Sequence, residues 1–214
     1  MSYITVGRGG RDEFTVERSR FIGTAARAES EDEARGFVAA IKKEFHDARH
    51  SAAAWVIGEG ESESAQPLKS RSSDDGEPGG TAGMPILTVL RTHHVMNAVI
   101  VVTRYFGGRK LGTGGLTRAY GEGAKIALAA ARLVRVDVLP RLIVTVDYPL
   151  LAPLESYFRQ KNIRVAQTDY AENVKISVLI EENNLENVKA DIIDMTAARA
   201  RFEMGGVERV ETEI

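Results

Sequence analysis

"NAVIVVTRYFGGRKLGTGGLTRAYGEGAKIALAAAR", residues Asn97 to Arg132, changes texture twice along its length. The opening NAVIVVT is an unbroken run rich in β-branched residues and predicts a buried strand over Asn97–Thr103. From Thr103 to Lys125 the chain sets seven glycines among five cationic side chains. Within that stretch Leu116, Tyr120, Ala124 and then Ala127, Leu128 and Ala131 trace one helical face, which predicts a helix over about Gly115–Arg132. A glycine-rich turn between strand and helix lets backbone N–H groups come close to an anion, and the helix adds the positive end of its dipole.

Arg104, Arg109, Lys110 and Arg118 would reinforce such a site, with Gly107, Gly108, Gly114 and Gly115 shaping the turn. Tyr105 and Phe106 beside these cations fit a surface that stacks bases and neutralises phosphates. The nucleotide signatures nevertheless fail: GGRKLGTG is not G-x-x-x-x-G-K-[ST], and GTGGLT breaks the G-x-G-x-x-G spacing. The plainer alternative is that the glycines only permit a tight turn and close helix–strand packing, with the cations solvated.

Upstream, Arg20–Ala26 reads as a strand. Ser30 followed by Glu33 forms a capping box for a helix over Glu31–Phe45, and Ser51–Gly58 reads as a short buried strand. The stretch EGESESAQPLKSRSSDDGEPGG, residues 59–80, reads as one long loop, and Glu59–Glu63 within it, like Glu181–Glu186 further on, as a solvated acidic face. A helix over Thr81–Leu90 follows despite Pro85. Asp74, Asp75 and Glu77 precede that helix and form a second dense segment. They could hold a hard cation, serve as a general base, cap the helix, or pair with the arginine turn. His50 counts as an accessory to this patch, and no histidine or carboxylate set completes a metal motif.

After Leu133 the pattern changes. Strands at Arg141–Tyr148, Ile163–Asp169, Val174–Ile180 and Val207–Glu213 alternate with helices at Leu150–Lys161 and Asn184–Ala198. That order, β-α-β-β-α-β, is the split βαβ of a ferredoxin-like domain. The expected division is 1–137 and 138–214, with Pro140 as punctuation.

The 214 residues are 43% apolar, enough for real cores, and carry 28 Lys and Arg against 30 Asp and Glu. A net charge of −2 excludes a uniformly basic, histone-like mode of nucleic-acid binding. With no cysteine there are no disulfides, thiolate nucleophiles or sulfur-bound zinc. The opening MSYITVGRGGRDEF has no apolar signal core and no stretch reaches membrane-helix length, so a soluble cytoplasmic protein without membrane contact is expected.

Taken together, DDGEPGGTAGMPIL at Asp74–Leu87 and VVTRYFGGRKLGTGGLTRAYGEGAK at Val101–Lys125 resemble the signature of the IMPACT family, in its bacterial YigZ type. ERSRFIG at Glu17–Gly23 and ARHSAAAWVIG at Ala48–Gly58 match as well, while Gly79 and Met84 stand where the family often carries a small polar and a basic residue. The resemblance implies an α+β first domain like domain 2 of ribosomal protein S5, with helices on one sheet face. It also implies a ferredoxin-like second domain similar to domain V of elongation factor G, and a cytosolic role in translation or its regulation. Eukaryotic relatives regulate a translation-repressing kinase through an N-terminal domain outside the resemblance, so that mechanism does not carry over.

The leading expectation is a binding protein, needing no cofactor, whose partner is RNA, the ribosome or another phosphate-bearing molecule. A purely protein-binding module and a nucleotide- or phosphate-dependent enzyme are the alternatives. Against the enzyme, LGTGG lacks a serine-rich nucleotide loop and no nucleophile–base pair is evident. The site is expected where Asp74, Asp75, Glu77, Arg104 and Arg109 converge on one concave patch.

Overall fold

A computed structural model describes residues 2–58 and 69–214, so the acidic face expected at Glu59–Glu63 lies outside the described residues. Its contacts group into two compact units, Ser2–Val136 with Glu211–Ile214, and Asp137–Val210. The fold is α+β with antiparallel sheets.

In the first unit, β1 (Ser2–Arg8), β2 (Gly10–Val16) and β3 (Ser19–Arg27) precede helix α1 (Glu31–Glu44). Then come β4 (His50–Ile57), β5 (Lys69–Ser73), α2 (Gly83–Thr92), β6 (Ala98–Tyr105) and α3 (Gly112–Ala130). Five strands form an antiparallel sheet in the order β2-β3-β6-β4-β5, with β6 at its centre. The apolar runs of β4 and β6 follow from this position, because both faces are covered. Ala52, Ala54, Val56, Ala98, Ile100 and Val102 face α2 and α3, while Ala53, Trp55, Ile57, Val99 and Val101 face the other way. There they meet Ala34, Phe37, Val38 and Ile41 of α1. Helices therefore pack on both sheet faces, not on one.

Helix α1 starts where its capping box predicts: the Ser30 hydroxyl accepts from Glu33 N at 3.1 Å, and the Glu33 carboxylate accepts from Glu29 N at 2.8 Å. Pro85 sits in the first turn of α2, where its missing N–H costs no helical hydrogen bond. Helix α3 starts at Gly112, three residues before the predicted Gly115, because the glycine turn is shorter than its composition suggests. The long loop predicted over 59–80 contains a strand, β5, that pairs with β4 from Ala53↔Ser73 to Ile57↔Lys69.

The chain passes into the second unit along β7 (Arg132–Val146), which runs unbroken through Pro140. Proline is tolerated there because its carbonyl still serves the ladder, accepting from Ile180 N at 3.1 Å. Then follow α4 (Leu151–Gln160), β8 (Arg164–Tyr170), β9 (Val174–Leu179), α5 (Leu185–Thr196) and β10 (Arg201–Glu213). β9 lies antiparallel between β7 and β8, and β10 pairs with β7, the ferredoxin-like order. Leu142, Val144, Ile176 and Val178 close on Leu154 and Phe158 of α4 and Val188 and Ile192 of α5.

Close approach of α3 to the sheet fixes Gly23: a Cβ there would lie 2.0 Å from the Gly123 carbonyl oxygen. Gly36 is exposed on α1, and a Cβ added to it would have nothing within 4 Å. Gly23→Ala should therefore destabilise the first unit by roughly 1–3 kcal/mol through overpacking against backbone. Gly36→Ala should stabilise it by about 0.5–1 kcal/mol. Urea unfolding followed by Trp55, the single tryptophan, reads this unit directly.

Candidate functional site

Strand alternation decides which cation goes inside. Val102 faces the α2–α3 side of β6, so Arg104 does too, at the strand end opposite Phe21 and His50. Arg104 is buried, 5% exposed, against Glu77 at 9%. Arg104 Nη1 donates to Glu77 Oε1 at 2.7 Å, and the Tyr120 hydroxyl donates to the same oxygen at 2.8 Å. Arg104 Nη2 reaches Ser19 Oγ at 3.4 Å, and the guanidinium carbon lies 5.5 Å from the Phe21 ring centre and 5.3 Å from that of Phe106. Burial, and then the neighbouring Glu77 charge, push the Tyr120 phenol far above its ordinary pKa, so it remains a neutral donor. Arg104 Nε is buried without a hydrogen-bond partner among the described residues, as are Arg27 Nε and Trp55 Nε1.

The other two acids have different partners. Asp74 accepts from Gly80 N at 2.8 Å, Ala82 N at 3.0 Å and Gly83 N at 2.8 Å, and so caps α2 from nine residues away. Partial burial opposes its ionisation, but the hydrogen bonds from Gly80, Gly83 and Ala82 prevail and hold its pKa below the ordinary carboxylate value. Asp75, at φ 49°, accepts from Ser51 N at 2.7 Å and pairs with Lys42 of α1. Its carbonyl accepts from His50 Nδ1 at 2.8 Å, which places the ring proton there. The expected convergence of Asp74, Asp75, Glu77, Arg104 and Arg109 is thus corrected: only Glu77 meets Arg104. Among the described residues no set of three or more acidic or histidine side chains could hold a metal.

Arg109 lies instead on the exposed turn and pairs with Glu17 at 2.9 Å. That turn is braced by the β2–β3 hairpin: a Cβ on Gly107 would lie 1.9 Å from the Arg18 carbonyl oxygen, and Gly107 N donates to Ser19 Oγ at 3.2 Å. Only glycine permits this approach. Gly108 and Gly112 complete the turn at φ 84° and 68°. Phe106 is 48% exposed. Lys110, Gly114 and Arg118 are exposed and Gly115 half-buried, with Arg118 Nη1 4.0 Å from the position of a Cβ on Gly114. Arg118 thus folds back over the first turn of α3, which has neither a side-chain cap nor an acidic residue. Tyr105 leaves the group: its hydroxyl donates to Asp47 at 2.6 Å and its ring meets Phe45 edge-on.

Sequence reasoning missed Glu17, Arg18 and Ser19, which join the turn only through the β3–β6 register, and the polar end of Tyr120. The spacing that marks Tyr120 as a core residue carries no sign that its hydroxyl serves Glu77.

Two antiparallel α+β domains, the first built around a buried Arg–Glu–Tyr cluster beneath a cationic glycine turn, define the class of protein. The Impact N-terminal domain matches residues 17–128, and a domain of unknown function, DUF1949, matches residues 144–199. The chain is 34% identical to the IMPACT family member YvyE of Bacillus subtilis over 213 residues, covering 100% of this chain and 95% of the relative. It is 34% identical to the IMPACT family member YigZ of Escherichia coli over 198 residues, with 92% of each covered. A crystal structure described as that of a hypothetical protein is 32% identical, with 94% of this chain and 96% of that chain covered and a TM-score of 0.59. This chain belongs to the IMPACT family.

Removing one partner of the buried pair strands the other charge, so Arg104→Ala and Glu77→Gln should each cost about 3–5 kcal/mol. In double-mutant cycles the Glu77/Arg104 coupling should exceed that of Asp75/Arg104. Asp74 contributes stability that is present above its unfolded pKa, about 3.9, and lost as pH falls through its lower folded value. Asp74→Asn should therefore destabilise at neutral pH by about 0.5–2 kcal/mol, as cap losses do, with the gap to wild type closing below about pH 4. Denaturation midpoints across pH check this.

Proposed function

We propose that the chain is a binding protein of translation or its regulation that contacts RNA, on or off the ribosome, through the turn Phe106–Arg118 and the adjoining Arg18. The observation that carries this reading is a division of cations. Arg104 is committed to the interior by Glu77, whereas Arg18, Lys110 and Arg118 are exposed and, among the described residues, without an ion pair. They surround the uncapped start of α3, whose free N–H groups favour phosphate oxygens. Phe106, about half exposed at the rim, offers an aromatic ring on which a base can stack. The link with translation rests on family likeness, and the choice of RNA on this chemistry.

Such a surface reads phosphates and not base edges, so affinity should fall with salt and vary little with sequence. Fluorescence anisotropy with labelled single-stranded RNAs at two salt concentrations should show this, with ATP as a competitor that fails. Arg109→Ala should weaken all sequences alike and lower the salt slope by about 0.7, one contact's worth. Glu17→Gln should strengthen binding, since it frees Arg109 from its surface partner. Absence of salt-sensitive binding to RNA or ribosomes at low ionic strength would overturn the reading in favour of a protein partner.

A further inference from the structure

In the second unit a cavity of about 490 Å³ opens among the end of α4, the start of β8, the end of β9 and the beginning of α5. Its volume lies in the range of small-molecule sites. Leu139, Ile163, Leu179, Ile180 and Val188 give it an apolar lining. Two cations, Lys161 and Arg164, and three carboxylates, Asp137, Glu181 and Asp191, also line it. That excess of negative charge disfavours a nucleotide or other multiply charged anion.

Some of these charges are already satisfied. Asp191 accepts from the Tyr157 hydroxyl at 2.7 Å and has Lys161 Nζ at 3.8 Å. Burial, then the Asp191 hydrogen bond, raises the Tyr157 pKa, so the phenol stays a neutral donor fixed on that carboxylate. Asp137 is engaged as well, which leaves Arg164 and Glu181. Among the described residues neither has an ion-pair partner, and Glu181 accepts only an amide N–H from Asn184 at 3.2 Å. One cavity thus presents an unpaired cation and an unpaired anion that do not neutralise each other, beside a hydrocarbon wall. Asn162 and Asn187 add amide groups able to donate or accept. A ligand bringing one carboxylate, one ammonium and an apolar body satisfies all three features.

We propose that this cavity binds a free α-amino acid with an apolar side chain, its carboxylate on Arg164, its ammonium on Glu181 and its side chain against Ile163, Leu179 and Val188. The reading is independent of the RNA surface on the first unit.

Isothermal titration calorimetry of the full chain with leucine, isoleucine, valine, methionine and phenylalanine tests it. Saturable binding of at least one is expected. Leucinamide, which lacks the carboxylate, and N-acetyl-leucine, which lacks the ammonium, should each bind about tenfold or more weakly than leucine, the scale of one lost charge-assisted hydrogen bond. Arg164→Ala and Glu181→Gln should weaken binding by a similar factor. Both residues are exposed, and circular dichroism is to check that each variant is folded before its binding is compared. Arg109→Ala should leave amino-acid binding unchanged. No saturable binding of any of the five at millimolar concentration, tighter binding of AMP or inorganic phosphate, or indifference to both cavity substitutions overturns the proposal.

Discussion

The first domain is organised around the hydrogen-bonded contact of Glu77 with Arg104 and Tyr120. Three segments far apart in sequence meet there: the loop before α2, the end of β6 and the middle of α3. An ion pair this deeply buried is a weak source of net stability, because both charges lose their hydration. Its strength is conditional: once the fold has buried one partner, loss of the other is costly. The pair therefore enforces one arrangement of loop, strand and helix. The shared acceptor oxygen makes the condition threefold, since the Tyr120 phenol also requires Glu77.

That commitment determines where binding chemistry can reside. A cation held by a buried carboxylate and flanked by Phe21 and Phe106 cannot reach a large ligand, so Arg104 organises the turn without serving as its contact surface. What it organises is exposed. Ser19 receives both Arg104 Nη2 and Gly107 N, so the same hydroxyl touches the buried cluster and the surface turn. The hairpin carrying Ser19 also brings Arg18 against Gly107. The position of the cationic turn is in this way set from within.

The sequence was most legible where one element satisfies its own pattern. The runs in β4 and β6, the α1 capping box and the β-α-β-β-α-β order all express local periodicity, and the described structure has each of them. It was least legible where backbone pairing overrides composition. KSRSS in β5 has no apolar signature; it becomes a strand because β4 offers a free edge. The first half of β7 and the strands β1 and β2 are similarly mixed in character, and Pro140 reads as a break only if the strand must use every N–H. At the site, the two dense motifs and most turn residues were readable, but their pairing was not. Three acids within four residues look equivalent in the chain, yet one caps a helix, one ties α1 to β4 and one is buried with an arginine.

The near balance of charge has the same explanation at the scale of the surface. Arg11 pairs with Glu44, Arg20 with Glu13, Arg27 with Glu29 and Glu211, and Arg35 with Glu31 and Asp32. Exposed pairs of this kind contribute about 0–1 kcal/mol each, so stability is not their main consequence. By neutralising cations elsewhere they leave less positive field over those faces, and with a Debye length of about 8 Å at physiological salt each acts mainly on its own neighbourhood. An acidic chain can then hold a local cationic patch, because what a polyanion meets is the charge left unpaired within that distance. Around the start of α3 that charge is positive: among the described residues Arg18, Lys110 and Arg118 have no ion pair, and the nearby Glu17 is already engaged by Arg109. Net charge and binding charge separate because pairing is local and screening keeps it so.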